Sequence, residues 1–199
     1  MIEPSLPLPE GCQIAELITP ETRQQFFGAP SSYGQFYDEV FDEVGETIRH
    51  QGFAKKRDIS ALAAWKRLPM NTPWATALQE ISEAILQETT SRLLRDGIST
   101  KSRISEFWES GLPGFSKGRF AVASTVLSAW NPREFGITDR RSRATLANLG
   151  CGCRDRLDSY SVYLAHLHAL RDSLFPGTDN PLHTARQIDK ILYSMAGNN

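Results

Sequence analysis

Two side chains in the middle of this 199-residue chain are of a kind that could do chemistry. Lys117 lies in the stretch Leu112-Pro113-Gly114-Phe115-Ser116-Lys117-Gly118-Arg119, and Asp139 comes soon after Trp130-Asn131-Pro132. A neutral amine is a nucleophile, and a fixed carboxylate stabilises positive charge that develops beside it. The plain alternative is structural. An aspartate at a helix start caps the first-turn amides, and a lysine at a helix start is often only a surface residue.

The elements around them decide what they can reach. Two glycines and a proline within residues 112–118 predict a tight turn, because glycine supplies backbone conformations closed to other residues and proline fixes its own φ. Phe120 to Trp130 is apolar and small enough to enter a core as a helix, which places Lys117 at the mouth of a buried helix. Asn131-Pro132-Arg133-Glu134 predicts a turn, Phe135-Gly136-Ile137 brings the chain back, and Asp139 opens a helix that Gly150 stops after Leu149.

The rest of the chain reads as helical scaffold. Residues 1–18 form a proline-rich lead, expected to be extended, and residues 19–199 a single domain, with two small lobes as the variant. Thr19-Pro20-Glu21 starts a short helix. Tyr33, Phe36, Tyr37, Val40, Phe41, Val44 and Ile48 share one helical face, with Asp38, Glu39, Asp42, Glu43 and Glu46 mostly off it, the pattern of a solvated outer side. Lys55-Lys56-Arg57 precedes Asp58, expected to cap a helix over Ile59–Leu68; the triplet could touch a phosphate or stand in an empty loop. One long helix is expected over Trp74–Arg95, with Leu78, Ile81 and Ile85 on its buried stripe. Further helices are expected from Ser99 or Thr100 through Trp108, over Ser159–Leu174, and over Thr184–Met195. The expected fold is all-α, with seven to nine helices around a central helix-hairpin-helix.

Composition excludes several classes. At 40% hydrophobic residues the chain has a substantial core, and it contains no run of about 18 apolar residues that could span a bilayer. The first ten residues lack a secretory signal's regions, so a cytoplasmic location is expected. Cys12, Cys151 and Cys153 are too few for a disulfide framework, and Cys151-Gly152-Cys153 could hold half a metal site with a histidine, although small residues in a turn is the plainer reading. His166 and His168 are two apart on one helix and point away from each other, so no metal pair results. Ser124, Thr125 and Ser128 lack a nucleophile-elbow context, and no phosphate-cradling Gly-x-x-x-x-Gly-Lys motif occurs. Net charge is −1, yet unevenly spread. Met1–His50 holds nine acidic residues against Arg23 and Arg49, whereas Lys117–Arg156 holds eight basic residues against Glu134, Asp139 and Asp155.

Leu112-Pro113-Gly114-Phe115-Ser116-Lys117-Gly118, the small-residue helix, Ile137-Thr138-Asp139-Arg140-Arg141 and Leu146-Ala147-Asn148-Leu149-Gly150 together resemble the helix-hairpin-helix DNA glycosylase superfamily, in particular its 8-oxoguanine glycosylase-like branch. The resemblance covers about Gly111 to Gly150. It implies a hydrolase of base excision that binds DNA, flips a base into a pocket and cleaves its glycosidic bond; neither a cofactor nor a metal is expected from the chain's own cysteines and histidines. It implies catalysis by Asp139 and, for lyase activity, a Schiff base on Lys117. Gly114, Ser116, Gly118 and Arg119 would hold a DNA phosphate through the hairpin, with Arg133, Arg140, Arg141 and Arg143 as further phosphate contacts. Ser116 stands where the family has its second hairpin glycine, and Lys117 falls one place before the family's lysine. Trp108, Phe120, Trp130 and Phe135 could stack on a flipped base, although aromatics at helical spacing are more often core. The competing expectations are a non-catalytic helical DNA-binding or protein-interaction module of the same fold, and a domain whose acidic front helix docks a basic partner.

Overall fold

A computed structural model describes residues 8, 18–28, 35–115, 120–151, 157–175 and 182–196. Among them the secondary structure is entirely helical. The ten helices are α1 (Pro20–Gly28), α2 (Gln35–Gln51), α3 (Lys56–Trp65), α4 (Pro73–Glu80), α5 (Glu83–Leu94), α6 (Thr100–Glu109), α7 (Phe120–Trp130), α8 (Arg140–Asn148), α9 (Leu157–Leu174) and α10 (Ala185–Met195). No described helix is long and apolar enough to cross a membrane. The chain groups into two compact units, Tyr33–Asn131 on one hand and Met1–Ser32 with Pro132–Asn199 on the other.

In the unit Tyr33–Asn131, α7 packs on α2 and α3, which also pack on each other. Its interior follows from composition, since Val122 to Ala129 are all buried and the small residues let neighbouring helices approach. The last carbonyls of α7 lack helical partners. Arg49 Nη1 supplies donors to Ala129 O (2.6 Å) and Trp130 O (3.2 Å). Buried Arg103 closes α5 in the same way, donating to Leu93 O, to Arg95 O (2.8 Å) and to Ile98 O (3.3 Å).

The expected helix over Trp74–Arg95 is two helices, which takes the count past the expected range. Ile81 and Ser82 are extended, with ψ of 144° and 134°. The break changes which face of the second segment is inward, so Leu86, Thr90 and Leu93 are buried while Ile85 is 54% exposed. Lys56 Nζ takes up the released Gln79 carbonyl at 2.6 Å. Two smaller expectations are also corrected. Asp58 is not the cap of α3 but its third residue, reaching back to the Lys55 amide at 2.9 Å. Val40, placed on the apolar face of α2, is 45% exposed, whereas Phe41 and Ile48 are buried as expected.

In the other unit, α10 packs on α1, α8 and α9. Tyr160, Tyr163, Leu164, Leu167 and Leu174 of α9 bury the expected face, as do Ile188, Ile191 and Leu192 of α10. Thr184 caps α10 through its hydroxyl, which accepts from the Gln187 amide at 3.0 Å.

Candidate functional site

The described part of the candidate site is Asp139 and the irregular strap Pro132–Thr138 that leads to it. A segment without helix or strand must find partners for its backbone groups elsewhere, and here α9 and α10 provide them. Pro132 O accepts from the Arg186 amide (3.0 Å), and Arg133 O accepts from the Ala185 amide (3.0 Å) and from Arg171 Nη1 (2.9 Å). Glu134 O accepts from His168 Nε2 at 2.7 Å, and Gly136 O from the Tyr160 hydroxyl at 2.9 Å. At Ile137 the amide donates to Asp189 Oδ2 (3.2 Å), while the carbonyl lies 3.3 Å from the Tyr163 hydroxyl. Gly136 suits this close approach, because a Cβ there would overlap the end of the Leu167 side chain and come within 3.2 Å of Asp189 Cβ.

Asp189 is the hub of this arrangement. It is 2% exposed and takes the Ile137 amide, the Ser142 hydroxyl (3.0 Å) and the Tyr163 hydroxyl (3.0 Å), with an ion pair to Arg186. The bonded residues Ile137 and Ser142 flank Asp139, so the helix start is held from both sides. Thr145 adds a further tie, donating to Leu192 O at 2.9 Å. Burial above all, and then the Asp189 charge, push the Tyr160 and Tyr163 phenols well above their ordinary range, so both act as neutral donors.

Asp139 itself is half-buried and is the N-cap of α8, its Oδ1 accepting from the Arg141 amide at 2.8 Å. Negative charge is favoured there by the positive end of the helix dipole. The arginines expected as phosphate contacts share this unit. Arg140 and Arg141 are exposed at the head of α8, and Arg143 is half-buried one turn on. Arg141 is partly committed, with Nη1 3.2 Å from the Tyr193 hydroxyl and the guanidinium 5.1 Å from that ring's centre. Arg133 is exposed at the strap's first turn, with its backbone carbonyl bound as above.

The hairpin belongs to the unit Tyr33–Asn131. Pro113 and Gly114 are the central residues of a turn closed by a bond from the Phe115 amide to Leu112 O at 3.0 Å. Gly114 has φ +83°, which fits a type II turn. It is buried, and a Cβ would come within 3.1 Å of Val122 and 3.2 Å of Trp74. Leu112 and Phe115 are buried on either side, Phe115 at 5.3 Å from the Phe107 ring. Ser116, Lys117, Gly118 and Arg119 lie outside the described residues.

Of the aromatics considered for stacking, Phe120 and Phe135 are core residues, and Trp130 is covered by the Arg103 guanidinium at 4.4 Å. Trp108 is half-buried, 6.3 Å from the Phe120 ring. His166 and His168 are both buried and donate to backbone carbonyls, His166 Nδ1 to Val162 O at 2.7 Å. Among the described residues no group of histidines, cysteines and acids could hold a metal ion.

Sequence reasoning passed over Asp189, Tyr160, Tyr163 and Ser142 as functional residues. The signal was present at Asp189, a carboxylate whose neighbours four before and three after, Ala185 and Leu192, are both on the buried face of α10. No protein-family model, curated protein or solved structure matches the chain.

Proposed function

We propose that this all-helical protein is a DNA glycosylase-like enzyme acting on a damaged or modified base, with Asp139 as its catalytic carboxylate. The observation that supports this best is the binding of the strap Pro132–Thr138 by α9 and α10, a large investment of buried polar groups that fixes the backbone entering Asp139. A carboxylate carried on a rigid backbone at a helix start is suited to stabilising the cationic sugar formed as a glycosidic bond breaks. In this reading Lys117 attacks the sugar carbon in a lyase step, and the arginines at 133, 140, 141 and 143 hold phosphates.

The test is base release from a panel of duplexes, each with one modified base, comparing the wild type with Asp139→Asn. Release by the wild type that is lost in Asp139→Asn supports the reading; equal release by both proteins refutes the role of Asp139. Borohydride trapping on an abasic duplex, lost in Lys117→Ala, tests the lyase step separately. The ordinary cap geometry of Asp139 favours a second reading, a non-catalytic module of the same fold that binds DNA. Tight duplex binding without base release from any member of the panel would select it.

A further inference from the structure

The basic triplet Lys55-Lys56-Arg57 was left without a role by the site above. All three residues line one cavity of about 530 Å³ at the head of α3, together with Ser60 one turn further on and Glu83 of α5. We propose that this cavity is a binding site for a nucleotide phosphate, either in a DNA backbone or in a free nucleotide. Only as a DNA contact does it rest on the base-excision reading.

The charges in the cavity are poorly matched from within the protein. Lys55 Nζ has no carboxylate partner among the described residues and lies 5.6 Å from the Phe53 ring centre. Among the described residues, Lys56 Nζ is bound only to the Gln79 carbonyl. Arg57 is 73% exposed and touches Asp58 through Nε alone, at 3.4 Å, which leaves the fork of its guanidinium for another anion. Glu83, the acid in the lining, accepts from the Lys56 amide (3.4 Å) and from Gln87 Nε2 (3.3 Å), with no ion pair to any of the three cations. Three cations within one helical turn repel one another, and an anion placed between them relieves that repulsion.

A further feature points to a ligand rather than to a solvated patch. The cavity exceeds what a bare phosphate needs and lies in the range of small-molecule sites, roughly 300–1,000 Å³. Gln79 and Gln87, at its edge, carry amides that can both donate to and accept from a base or a sugar. A phosphate fits the cationic side better than a carboxylate does, having more acceptor oxygens for an arginine fork and ammonium groups.

The experiment measures fluorescence anisotropy of a labelled duplex between low and moderate salt, and calorimetric titration with deoxyadenosine monophosphate. Lys55→Ala/Arg57→Ala removes two phosphate contacts, so the slope of log affinity against log salt should become shallower by about 2. Lys101→Ala, which removes an exposed lysine of α6 outside the cavity, should leave the slope unchanged. Loss of nucleotide binding with unchanged duplex binding assigns the site to free nucleotides. Unchanged affinity and slope for both ligands in a folded double variant overturns the proposal, and so does failure of the wild type to bind either. Lys55→Gln/Arg57→Gln carries the same test if the alanine variant does not fold. A wild type that releases no base but keeps the slope difference removes the enzyme reading and leaves this site; an active enzyme with an unchanged slope and an unchanged nucleotide affinity in the double variant does the reverse.

Discussion

Replacing Asp189 by alanine should destabilise the protein far more than a typical substitution. The carboxylate is 2% exposed and serves four donors, so its removal leaves each to find another acceptor. Tyr163 has one nearby in Ile137 O at 3.3 Å, and Ser142 has a long one in Asp189 O at 3.5 Å. The Ile137 amide loses the acceptor it has, and Arg186, with a side chain 12% exposed, loses its carboxylate. An orphaned buried donor costs about 1–3 kcal/mol, and breaking a buried ion pair about 3–5 kcal/mol. These overlap, so the expected cost is about 3–5 kcal/mol, a large part of the stability usual for a domain. Urea unfolding followed by circular dichroism measures it. Hydrogen exchange at the Ile137 amide reports whether the strap itself loosens. A cost below about 1 kcal/mol, the scale of an ordinary hydrogen bond, with Ile137 still protected would refute the view that Asp189 holds the helix start.

Three other outcomes follow from the geometry. Asp139→Ala should cost about 1 kcal/mol through loss of the cap, whereas Asp139→Asn should keep the cap and stay within a few tenths, so that any loss of base release in the latter is chemical; thermal melting beside the release assay separates the two. Gly114→Ala should cost more than Gly111→Ala, both having positive φ, because a Cβ at 114 meets Val122 and Trp74 while one at 111 meets open space; the strain common to both is about 1–2 kcal/mol and crowding at 114 adds about 1–3 kcal/mol, read by urea unfolding. Burial, the largest cause, lowers the pKa of His166 and His168 below the ordinary 6.5, so the unfolded chain takes up protons first as pH falls. Stability is then complete above about 6.5 and declines as pH drops below it, and His166→Asn/His168→Gln, which keep a donor near each carbonyl, should flatten that decline in unfolding curves taken across the range.

Much of the helical scaffold was legible because single residues carry local rules. Thr19, Ser99 and Asp139 cap the helices they were expected to cap, Thr184, expected as the first residue of the last helix, is its cap instead, and Gly150 ends α8 with φ +88°. The break between α4 and α5 was not legible, since no proline or glycine marks Ile81-Ser82. What marks it is tertiary, the Lys56 ammonium on the Gln79 carbonyl and the burial of Leu86 in place of Ile85. Val40 fits the same account, because a periodic pattern predicts a face and only packing decides how wide its buried stripe is.

The support beneath Asp139 shows why a motif and its function separate. Residues 137–141 read as a helix start whose aspartate could be a cap or a catalyst, and both descriptions fit the local sequence. The partners that immobilise the strap, Tyr160, Tyr163, His168, Arg171 and Asp189, arrive from 20 to 50 residues downstream, so no short pattern around Asp139 contains them. A cap needs its helix amides and little more. A catalytic carboxylate needs its backbone fixed before the reaction begins, since preorganised charge acts only where it does not have to move. Tyr160→Phe distinguishes these needs, because it removes one donor from the strap at Gly136 O and leaves Asp139 and its cap intact. If Asp139 is only a cap, the variant should lose about 1–2 kcal/mol of stability and bind duplex DNA as the wild type does. If Asp139 is catalytic, base release should fall at saturating substrate while the affinity for duplex stays unchanged.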